Sequence, residues 1–427
     1  MVHVSLECKD DAAKYLEWKI FNDLKRNFPI YTSQIVPIPM GVDKDMMELR
    51  DEGWMPSLVP CGRIEPKFGP TTSEELREYG CPTWKCHFTY KKSEITTADA
   101  VLVILDHFKS LEHHRYHRPA EQRWVFVDVE PPTGANGNRK ININSDLVNW
   151  TMSYHSHSDI LGGGYGHFRS LKGEPLPFQV HFISGQPHAL SQYVSELERG
   201  SSAEDVLGPS WKAFVSKPKP LAWMVSNCKG LSSRMQYVDE LAKHIPIDIY
   251  GGCTKTWCIH RKSSRDLCWQ NVLSWQYSFY LAFENSLCQD YITEKSYFPL
   301  VYGVIPVVYG GANYTQFLPP HSYINARHYH PKELADLLLK LHNDPVALGR
   351  YHIWRAFWKA EHFGSFCHLC QKLHVDFTYK NHEDINAFQI ASSRCYNPKH
   401  QLFNNKQHPD ACKEVINTNM SCTSDGS

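Results

Sequence analysis

The second half of the chain alternates short apolar runs with amphipathic segments. Four runs of five to seven residues are rich in β-branched and aromatic side chains, which is typical of strands: 221–226, 247–251, 278–284 and 304–310. Apolar residues recur at helical spacing in three further segments: 233–245, about 290–301 and 331–344. Strands that alternate with helices in this way predict a doubly wound parallel sheet, an α/β fold that binds ligands beyond the carboxyl ends of its strands.

The first half carries a weaker pattern of the same kind. Two apolar runs, 100–106 and 123–130, are hydrophobic almost throughout and end in loop signals, which predicts strands buried on both faces. One helical pattern is clear near residues 11–28. The rest of the first hundred residues has scattered Pro, Gly and Cys and predicts irregular covering structure.

The length of the chain argues for more than one domain. A single hydrophobic core stops growing near ~250–300 residues, and this chain has 427 residues. The segment 195–220 is rich in charged residues, Gly, Ser and Pro, and predicts a junction. We therefore predict an N-terminal domain over residues 1–212, a second domain over 213–365, and a disulfide-stapled C-terminal extension over 366–427.

Charge and cysteine content narrow the function classes. Lys plus Arg and Asp plus Glu number 45 each, so no net field attracts nucleic acid or an anionic membrane. The chain lacks an apolar run of 18 residues and a signal-peptide pattern at its start, so as written it is expected to be soluble. The 14 cysteines and the sequons at Asn149, Asn313 and Asn419 favour the secretory pathway instead. Both expectations hold together if a membrane anchor is missing from this chain.

A dense group of polar residues follows one of the predicted strands, in the segment FYLAFENSLCQDYITEK at residues 279–295. The segment delivers Glu284, Asn285 and Ser286 at the strand's carboxyl end, where an α/β sheet presents side chains to ligands. A helix is predicted to begin a few residues later. The free backbone N–H groups of a helix start suit a diphosphate, so the segment predicts an anion-binding site.

Three residues of this segment can address one ligand together. Tyr291, Glu294 and Lys295 are spaced i, i+3 and i+4, which puts them on one face of a helix that begins near residue 290. A ring, a carboxylate and a cation would then face the same ligand. The residues alone leave an alternative open, in which the tyrosine belongs to the core and the two charges are solvated.

The motif FYLAFENSxxxDYITEK, followed by GVIPVVYGG at 303–311, resembles the signature of the α1,3-fucosyltransferases. The resemblance extends over about residues 100–370 and implies a GT-B fold, in which two Rossmann-like, doubly wound domains face each other across a cleft. It also implies an inverting enzyme with GDP-fucose as co-substrate and no tightly bound cofactor. The donor-binding residues that it implies are Asn285, Ser286, Tyr291, Glu294 and Lys295, with Lys295 on the diphosphate and Glu294 on the nucleotide ribose or the fucose.

Upstream, SNCKGLSSRMQYVDEL at 226–241 resembles the family stretch in which an arginine grips the diphosphate. The resemblance implies Arg234 as the second cation of the donor site. This residue lies at the start of a predicted helix, where the helix dipole adds to the attraction for an anion. The pattern alone is equally compatible with a surface charge.

A further match lies at the end of the predicted strand 123–130. RPAEQRWVFVDVEPPTG at 118–134 resembles the family stretch RPxxQxWVW…ESP, whose glutamate lies at the acceptor hydroxyl. Displacing GDP with inversion is a single in-line step in which the attacking hydroxyl loses its proton, so one carboxylate is needed as general base. The resemblance implies Glu130 for this role. Asp128, two residues earlier on the same side of the strand, is the rival candidate.

NWTMSYHSHSDI at 149–160 resembles the family motif NWTMSYRRDSDI, whose basic pair is thought to reach the donor or the acceptor. The resemblance implies that Tyr154 and His155 belong to a loop of the cleft. His155 and Ser156 stand where the motif has two basic residues, and His157 stands where it has an acidic one. Because histidine is only partly protonated near neutrality, the loop is expected to lack fixed positive charge.

The cysteine spacings allow two interpretations. Three cysteines in the loop 253–268 surround His260, and Cys367 and Cys370 form a C-x-x-C pair, which are spacings that zinc sites also use. The sequons and a similar C-terminal cysteine pattern in the family favour disulfides in an oxidising lumen. No Asp-x-Asp motif follows a strand of the second domain, so no divalent metal ion is expected at the diphosphate.

The sequence therefore predicts an α1,3-fucosyltransferase that moves L-fucose from GDP-fucose to a GlcNAc of a glycan, either the N-glycan core or N-acetyllactosamine, on a glycoprotein or glycolipid. The resemblance implies a type II membrane glycoprotein of the Golgi lumen whose anchor is absent from this chain. The loop 253–268 resembles the corresponding loop of family members that act on the core GlcNAc. Because Asn149 lies inside a cleft motif, Asn313 and Asn419 are the glycosylation candidates.

Two alternatives stay open at this point. The chain could be another inverting GT-B transferase with a different nucleotide sugar, which would keep the architecture. It could also be a catalytically silent glycan-binding relative, which the altered loop at 149–160 motivates.

Overall fold

The computed structural model of the protein describes residues 57–61 and, with gaps, residues 72–395. These residues form two five-stranded parallel sheets and one two-stranded antiparallel sheet. The predicted α/β fold with two Rossmann-like sheets is confirmed. The helix predicted near residues 11–28 lies outside the described residues.

The elements are numbered in chain order. The strands are β1 Ser57–Cys61, β2 His87–Phe88, β3 Ala100–Ile104, β4 Arg123–Asp128, β5 Trp150–Ser153, β6 His167–Ser170, β7 Lys219–Met224, β8 Ile247–Tyr250, β9 Tyr277–Phe283, β10 Ile305–Tyr309, β11 Ile324–Asn325 and β12 Trp358–Glu361. The α-helices are α1 Ser73–Tyr79, α2 Pro187–Glu198, α3 Ala203–Leu207, α4 Lys212–Val215, α5 Arg234–Leu241, α6 Arg265–Cys268, α7 Ser274–Gln276, α8 Glu294–Val301, α9 Tyr314–Phe317, α10 Pro331–His342, α11 Pro345–Arg350 and α12 Ser365–Val375.

The first sheet has the strand order β2-β1-β3-β4-β5, and all its strands are parallel. Every residue of β4 is buried, as expected for a strand with helices or covering segments on both faces. The strands β1 and β2 contradict the prediction of irregular covering structure before residue 100. Both are short, and β1 contains a proline, so neither shows the alternation that reveals a strand in a sequence.

The second sheet has the order β11-β10-β9-β7-β8, again all parallel. Its central strand β9 is buried along its whole length and pairs with β10 so that Phe283 lies beside Tyr309. The chain runs from β7 to β8 on one side and then crosses back to β9 on the other. The crevice between the carboxyl ends of β7 and β9 is therefore the topological switch point, where such sheets bind ligands.

The segment predicted as a junction forms short helices that pack against the second sheet's lobe. The hydroxyl of Tyr193 in α2 donates a hydrogen bond to the Pro320 carbonyl at 2.5 Å. Ser202 caps α3 in a reciprocal capping box with Asp205. Ser202 and Asp205 are thus helix-capping residues, a type of residue that also contributes to the composition of linkers.

The end of the described chain returns to the first lobe. Strand β12 pairs with β6, and α12 is tied to the first lobe by two disulfides. Beyond α12, Ile385 and Phe388 pack on the face of the first sheet that carries Trp124 and Phe126. None of the helices given above is long and apolar enough to cross a bilayer.

The disulfide interpretation of the cysteines is confirmed. The pairs are Cys81–Cys367, Cys86–Cys370, Cys228–Cys253, Cys258–Cys268 and Cys288–Cys395. His374 lies beside two of these sulfurs at metal-ligand spacing, but those sulfurs are bonded to each other. The zinc interpretation is therefore wrong for the C-x-x-C pair and for the bridged cysteines of the loop 253–268.

Candidate active site

The carboxyl end of β9 carries a fully buried carboxylate. Glu284 has no exposed surface, and its Oε1 accepts hydrogen bonds at 2.9 Å from the backbone N–H and the hydroxyl of Thr293. Its Oε2 lies 3.0 Å from Nζ of Lys295. Glu284 therefore ties the end of the strand to the start of α8, and it acts as an internal anchor of the segment 279–295.

Helix α8 begins at Glu294, four residues later than the sequence predicts. The Thr293 side chain is its N-cap and accepts a hydrogen bond from the Lys295 N–H at 3.4 Å. The cap sets the helix start, because the N-cap residue has extended backbone geometry. Tyr291 consequently lies in the preceding loop, and the prediction that it shares a helix face with Glu294 and Lys295 is wrong.

Lys295 is a partly buried cation, with its side chain 20% exposed, and three oxygen atoms hold it. Its Nζ lies 2.7 Å from Thr293 Oγ1, 3.0 Å from Glu284 Oε2 and 3.5 Å from Glu294 Oε1. Burial disfavours its charge, but the attraction of Glu284 and Glu294 outweighs that effect and raises the pKa of Lys295. The ammonium group is therefore charged at working pH and lies at the first turn of α8.

Glu294 has a second cationic neighbour, which the sequence analysis did not identify. Nη1 of Arg265 lies 2.8 Å from Glu294 Oε1. Arg265 begins α6 at the end of the disulfide-closed loop 253–268, and its side chain is half exposed. The loop is thereby attached to the start of α8 beside Lys295.

The carboxylate of Glu130 meets the segment 279–295 from the other lobe. It lies two residues beyond β4, and its Oε2 accepts a hydrogen bond from the Tyr291 hydroxyl at 3.1 Å. The Tyr165 hydroxyl lies 3.4 Å from Oε1. The rival Asp128 is buried, and its Oδ1 accepts the backbone N–H of Glu130 at 3.2 Å. Of the two carboxylates, the one at 130 is the more exposed.

The loop after β5 also bonds to the segment 279–295. The hydroxyl and the backbone N–H of Ser156 donate to Asp290 Oδ2 at 2.6 and 3.1 Å. The Tyr154 ring packs edge-to-face on Tyr291 with the ring centroids 4.9 Å apart. Serine thus bonds the acidic residue from a position where the family motif has a base, so the contact between the lobes persists without a cation.

The side chain of His155 is buried between rings and is neutral. Its ring lies 4.1 Å from the Tyr154 ring centroid and 5.6 Å from that of Phe388. Burial lowers the pKa of His155 to about 4, although Asp290 acts in the opposite direction. The expectation of partial protonation near neutrality is wrong for this residue, because no water reaches the ring. Both ring nitrogens lack hydrogen-bond partners among the described residues.

Arg234 begins α5, as predicted, but it is buried rather than a surface charge. Its Nη1 donates to the Phe283 carbonyl at 2.6 Å and its Nη2 to the Asn227 carbonyl at 2.8 Å. These carbonyls end β9 and the turn after β7, so the guanidinium braces the two strand ends at the switch point. Its contact with a diphosphate stays a prediction.

Asn285 and Ser286 follow Glu284 at the same strand end. Ser286 is buried, and Asn285 is half-buried with its Oδ1 enclosed and without a partner among the described residues. A buried amide oxygen without a donor is uncommon in folded proteins. The contact of Asn285 with a ligand stays a prediction.

The glycines after β10 allow the chain to pass close to this segment. A Cβ added at Gly311 would lie 2.7 Å from the Cys288 nitrogen and from the Leu287 carbonyl carbon. Both are backbone atoms, which cannot rotate away. The residue at this position must therefore lack a side chain for residues 287–288 to hold their conformation.

The sequons differ in exposure, which predicts their use. Asn149 is buried, and its amide donates to the Lys380 carbonyl at 2.9 Å while its Oδ1 accepts the Trp124 N–H at 2.7 Å. Asn313 is exposed at the start of α9, and Asn419 lies outside the described residues. For protein secreted by a eukaryotic host, we expect peptide mass spectrometry to find a glycan at Asn313 and none at Asn149.

The matched variants for this glycosylation prediction are N313Q and N149Q. The first should lose one glycan and keep its stability. The second should lose no glycan but unfold at lower temperature, because it disturbs a buried hydrogen-bond network. A glycan on Asn149 would contradict the burial of that side chain.

Two family models match the chain. The model described as "Glycosyltransferase family 10 (fucosyltransferase) C-term" matches residues 214–388. The model described as "Fucosyltransferase, N-terminal" matches residues 63–166. The two matched ranges contain all the residues of the site described above.

Curated proteins with related sequences carry names of the same kind. The chain is 31% identical to "Alpha-(1,3)-fucosyltransferase C" of Drosophila melanogaster over 75% of this chain and 73% of that protein. It is 34% identical to "3-galactosyl-N-acetylglucosaminide 4-alpha-L-fucosyltransferase FUT3" of Bos taurus over 75% and 78% of the two chains. A solved structure described as an alpha1,3-fucosyltransferase with GDP-fucose aligns with 77% of this chain and 93% of its own, at 14% identity and a TM-score of 0.39.

Proposed function

The chain belongs to glycosyltransferase family 10, the fucosyltransferases, and on that premise we propose that it transfers L-fucose from GDP-fucose to a GlcNAc in α1,3 linkage, with inversion and with Glu130 as general base. The observation that carries the proposal is the hydrogen bond from Tyr291 to Glu130 at 3.1 Å. It joins the donor motif of one lobe to the strand-end carboxylate of the other. A base for the acceptor hydroxyl has to lie beside the donor in this way.

The reaction that we propose needs one proton acceptor and one leaving-group site. The acceptor oxygen forms a bond to the anomeric carbon while the bond from that carbon to the β-phosphate oxygen breaks. Glu130 takes the proton of the attacking hydroxyl, so that charge does not build up on the acceptor oxygen. Because attack and departure occur on opposite faces of the sugar, the configuration inverts.

The leaving GDP gains negative charge, and Lys295 with the first turn of α8 can stabilise it. The ammonium group is charged, and the backbone N–H groups of the first helical turn add a positive partial charge. The carboxylates of Glu284 and Glu294 hold Lys295 at this position. Fixed charges of this kind stabilise a developing anion without reorganisation of the site.

The close approach of Gly311 to the donor motif makes a prediction about donor binding. Gly311→Ala should raise KM for GDP-fucose several-fold, because the added Cβ would displace the backbone of residues 287–288. Overpacking of this kind typically costs about 1–3 kcal/mol of folding stability. Initial rates against GDP-fucose concentration and thermal unfolding measure both effects.

The matched control is Gly252→Ala. A Cβ at Gly252 would have its closest contact at 3.5 Å, an ordinary van der Waals distance. This variant should keep the wild-type KM and unfolding temperature. If Gly311→Ala also kept the wild-type KM and unfolding temperature, the inference that Gly311 has to lack a side chain beside the donor motif would be wrong.

The silent glycan-binding alternative rests on the altered loop after β5. The Ser156–Asp290 hydrogen bonds speak against it, because they keep this loop joined to the donor motif without the basic residues. Loss of those basic residues therefore does not by itself separate the lobes.

The acceptor and the compartment are two further parts of the proposal. We propose the Golgi lumen as the compartment, which five disulfides among the described residues support, since such bonds persist in oxidising compartments. We propose the innermost GlcNAc of N-glycans as the first acceptor to test and N-acetyllactosamine as the second. The resemblance of the loop 253–268 to that of members that act on the core GlcNAc supports this order.

Mass spectrometry of defined glycans tests the proposal directly. The protein is incubated with GDP-fucose and either an N-glycan core or an N-acetyllactosamine acceptor, and parallel reactions contain other GDP- and UDP-sugars. The expected product is the acceptor with one added fucose, formed from GDP-fucose alone. Transfer from another nucleotide sugar would favour the second transferase hypothesis, and binding without any transfer would favour the silent relative.

A further inference from the structure

We propose that Tyr165 is a positioning residue for the reaction, which holds the carboxylate of Glu130 in line with the acceptor hydroxyl. This inference rests on the proposed function, in which Glu130 is the general base. Neither the sequence motifs nor the matched family names single out Tyr165. It follows three glycines in the sequence GGGYGHF, at 162–168, and no periodic pattern marks it.

The geometry around Tyr165 carries the proposal. Its hydroxyl donates to the Val129 carbonyl at 3.0 Å and lies 3.4 Å from Oε1 of Glu130. The two acceptors belong to consecutive residues, and the single hydroxyl proton is shared between the backbone carbonyl before Glu130 and the Glu130 side chain. Tyr291 contacts the other carboxylate oxygen. The carboxylate therefore lies between two phenol groups, one on each oxygen.

The carboxylate is held by neutral hydroxyl groups rather than by a cation. Among the described residues, no Lys, Arg or His lies within ion-pair distance of Glu130; its polar contacts are with Tyr165, Tyr291 and, through its backbone N–H, Asp128. A neighbouring cation would stabilise the carboxylate and weaken it as a base. Hydroxyl donors orient the oxygens with a smaller effect on basicity, which suits a group that has to accept a proton.

Tyr165 stays a donor throughout the working pH range. Burial raises the pKa of its hydroxyl well above the ordinary value, and four surrounding carboxylates add to this effect: Glu130, Glu294, Glu284 and Asp128. The phenol therefore keeps its proton near neutral pH.

Tyr165 and Tyr291 have different roles beside Glu130. Tyr291 belongs to the donor motif, so binding of the donor competes for its contacts. The backbone next to Tyr165 packs closely against α8, because a Cβ on the adjacent Gly166 would lie 2.3 Å from the Tyr297 ring of that helix. The absence of that Cβ lets the backbone beside Tyr165 press against the donor helix.

Tyr165→Phe removes only the hydroxyl and tests this role. We expect the plateau value of kcat to fall by about 3- to 10-fold, the range that one hydrogen bond of ordinary net strength can account for. The acidic limb of the kcat/KM profile should move to higher pH by roughly half a unit to one unit, because the charged carboxylate loses a donor. KM for GDP-fucose should stay at the wild-type value, whereas Tyr291→Phe should raise it.

The control is Tyr193→Phe. Tyr193 is a fully buried tyrosine whose hydroxyl also donates to a backbone carbonyl, that of Pro320, in a place remote from Glu130. Tyr193→Phe should lower the free energy of unfolding by about as much as Tyr165→Phe does, and it should leave the pH profile of kcat/KM unchanged. Rates are normalised to the concentration of GDP-binding sites, so a partly folded variant remains informative.

Two results separate this inference from the proposed function. If Glu130→Gln is inactive but Tyr165→Phe has the wild-type plateau and pH profile, the role of Tyr165 is wrong and the general base stands. If Glu130→Gln is fully active, the general base itself is wrong. A lower kcat in Tyr165→Phe with an unshifted profile that Tyr193→Phe reproduces would reduce Tyr165 to a structural residue and overturn the proposal.

Discussion

Glu130→Gln is expected to lower kcat by about 10²- to 10⁴-fold, the contribution that a positioned general base makes to proton transfer. The substitution keeps the size of the side chain and leaves one oxygen that can accept a tyrosine hydrogen bond. The amide group cannot take up the proton of the acceptor hydroxyl at working pH. GDP-fucose should bind with wild-type affinity, because the lost charge acts on the acceptor side of the site.

The measurement for this variant is the fucosylation rate at saturating donor and acceptor, together with calorimetric binding of GDP. The comparison that decides between the two carboxylates is Asp128→Asn. Asp128 holds the backbone N–H of Glu130 at 3.2 Å, so its loss should reduce the rate far less than the loss of the base. A greater loss in Asp128→Asn than in Glu130→Gln would assign the base to Asp128.

Lys295→Met is expected to lower kcat/KM for GDP-fucose by about 10²- to 10³-fold, because it removes the cation that we propose for the leaving diphosphate. The same change should destabilise the protein. It leaves Glu284 fully buried and without its ammonium partner, and breaking a buried pair in this way typically costs about 3–5 kcal/mol. Initial rates and chemical denaturation measure the two effects separately.

The double variant Glu284→Gln/Lys295→Met separates the catalytic effect from the structural one. Removal of both charges should restore most of the stability, since a neutral amide can accept the hydrogen bonds of Thr293 without a buried charge. Activity should stay as low as in Lys295→Met. Recovery of activity along with stability would mean that Lys295 serves the fold alone.

A surface pair supplies the control for Lys295. Lys332 lies 3.2 Å from Asp336 on α10, and both side chains are about two-thirds exposed. Exposed pairs of this kind contribute about 0–1 kcal/mol, so Lys332→Met should keep both the stability and the rate. A loss in this variant comparable to that in Lys295→Met would point to a general effect of charge.

Local patterns along the chain predicted four of the five strands of the second sheet and the polar segment after β9, but they missed the two-residue strand β11. The runs 278–284 and 304–310 became β9 and β10 to within one residue at each end, because strands buried on both faces are recognisable from their apolar side chains alone. The start of α8 was less well determined. Its position depends on the side chain of Thr293, which competes with the helix-forming pattern that begins earlier.

The sequence by itself determined the fold class, the family, and most of the residues at the two strand ends, since each of these is written in short, contiguous stretches. The contacts between residues of different stretches were decided by the tertiary structure. Tyr291 contacts Glu130, and Tyr165 lies behind that carboxylate, across separations of 161 and 35 residues that no local periodicity encodes.

Tertiary contacts also changed the roles assigned to the residues of the segment 279–295. From the sequence it was a strand end and a helix start with charges suited to an anion. The fold assigned Glu284 to an internal anchor, joined Asp290 to Ser156 of the other lobe, and bonded Cys288 to Cys395 of the tail. The burial of a side chain and its hydrogen-bond partners depend on the packing of the whole molecule. The separate roles of these polar side chains therefore became visible only in the structure in which the two lobes meet.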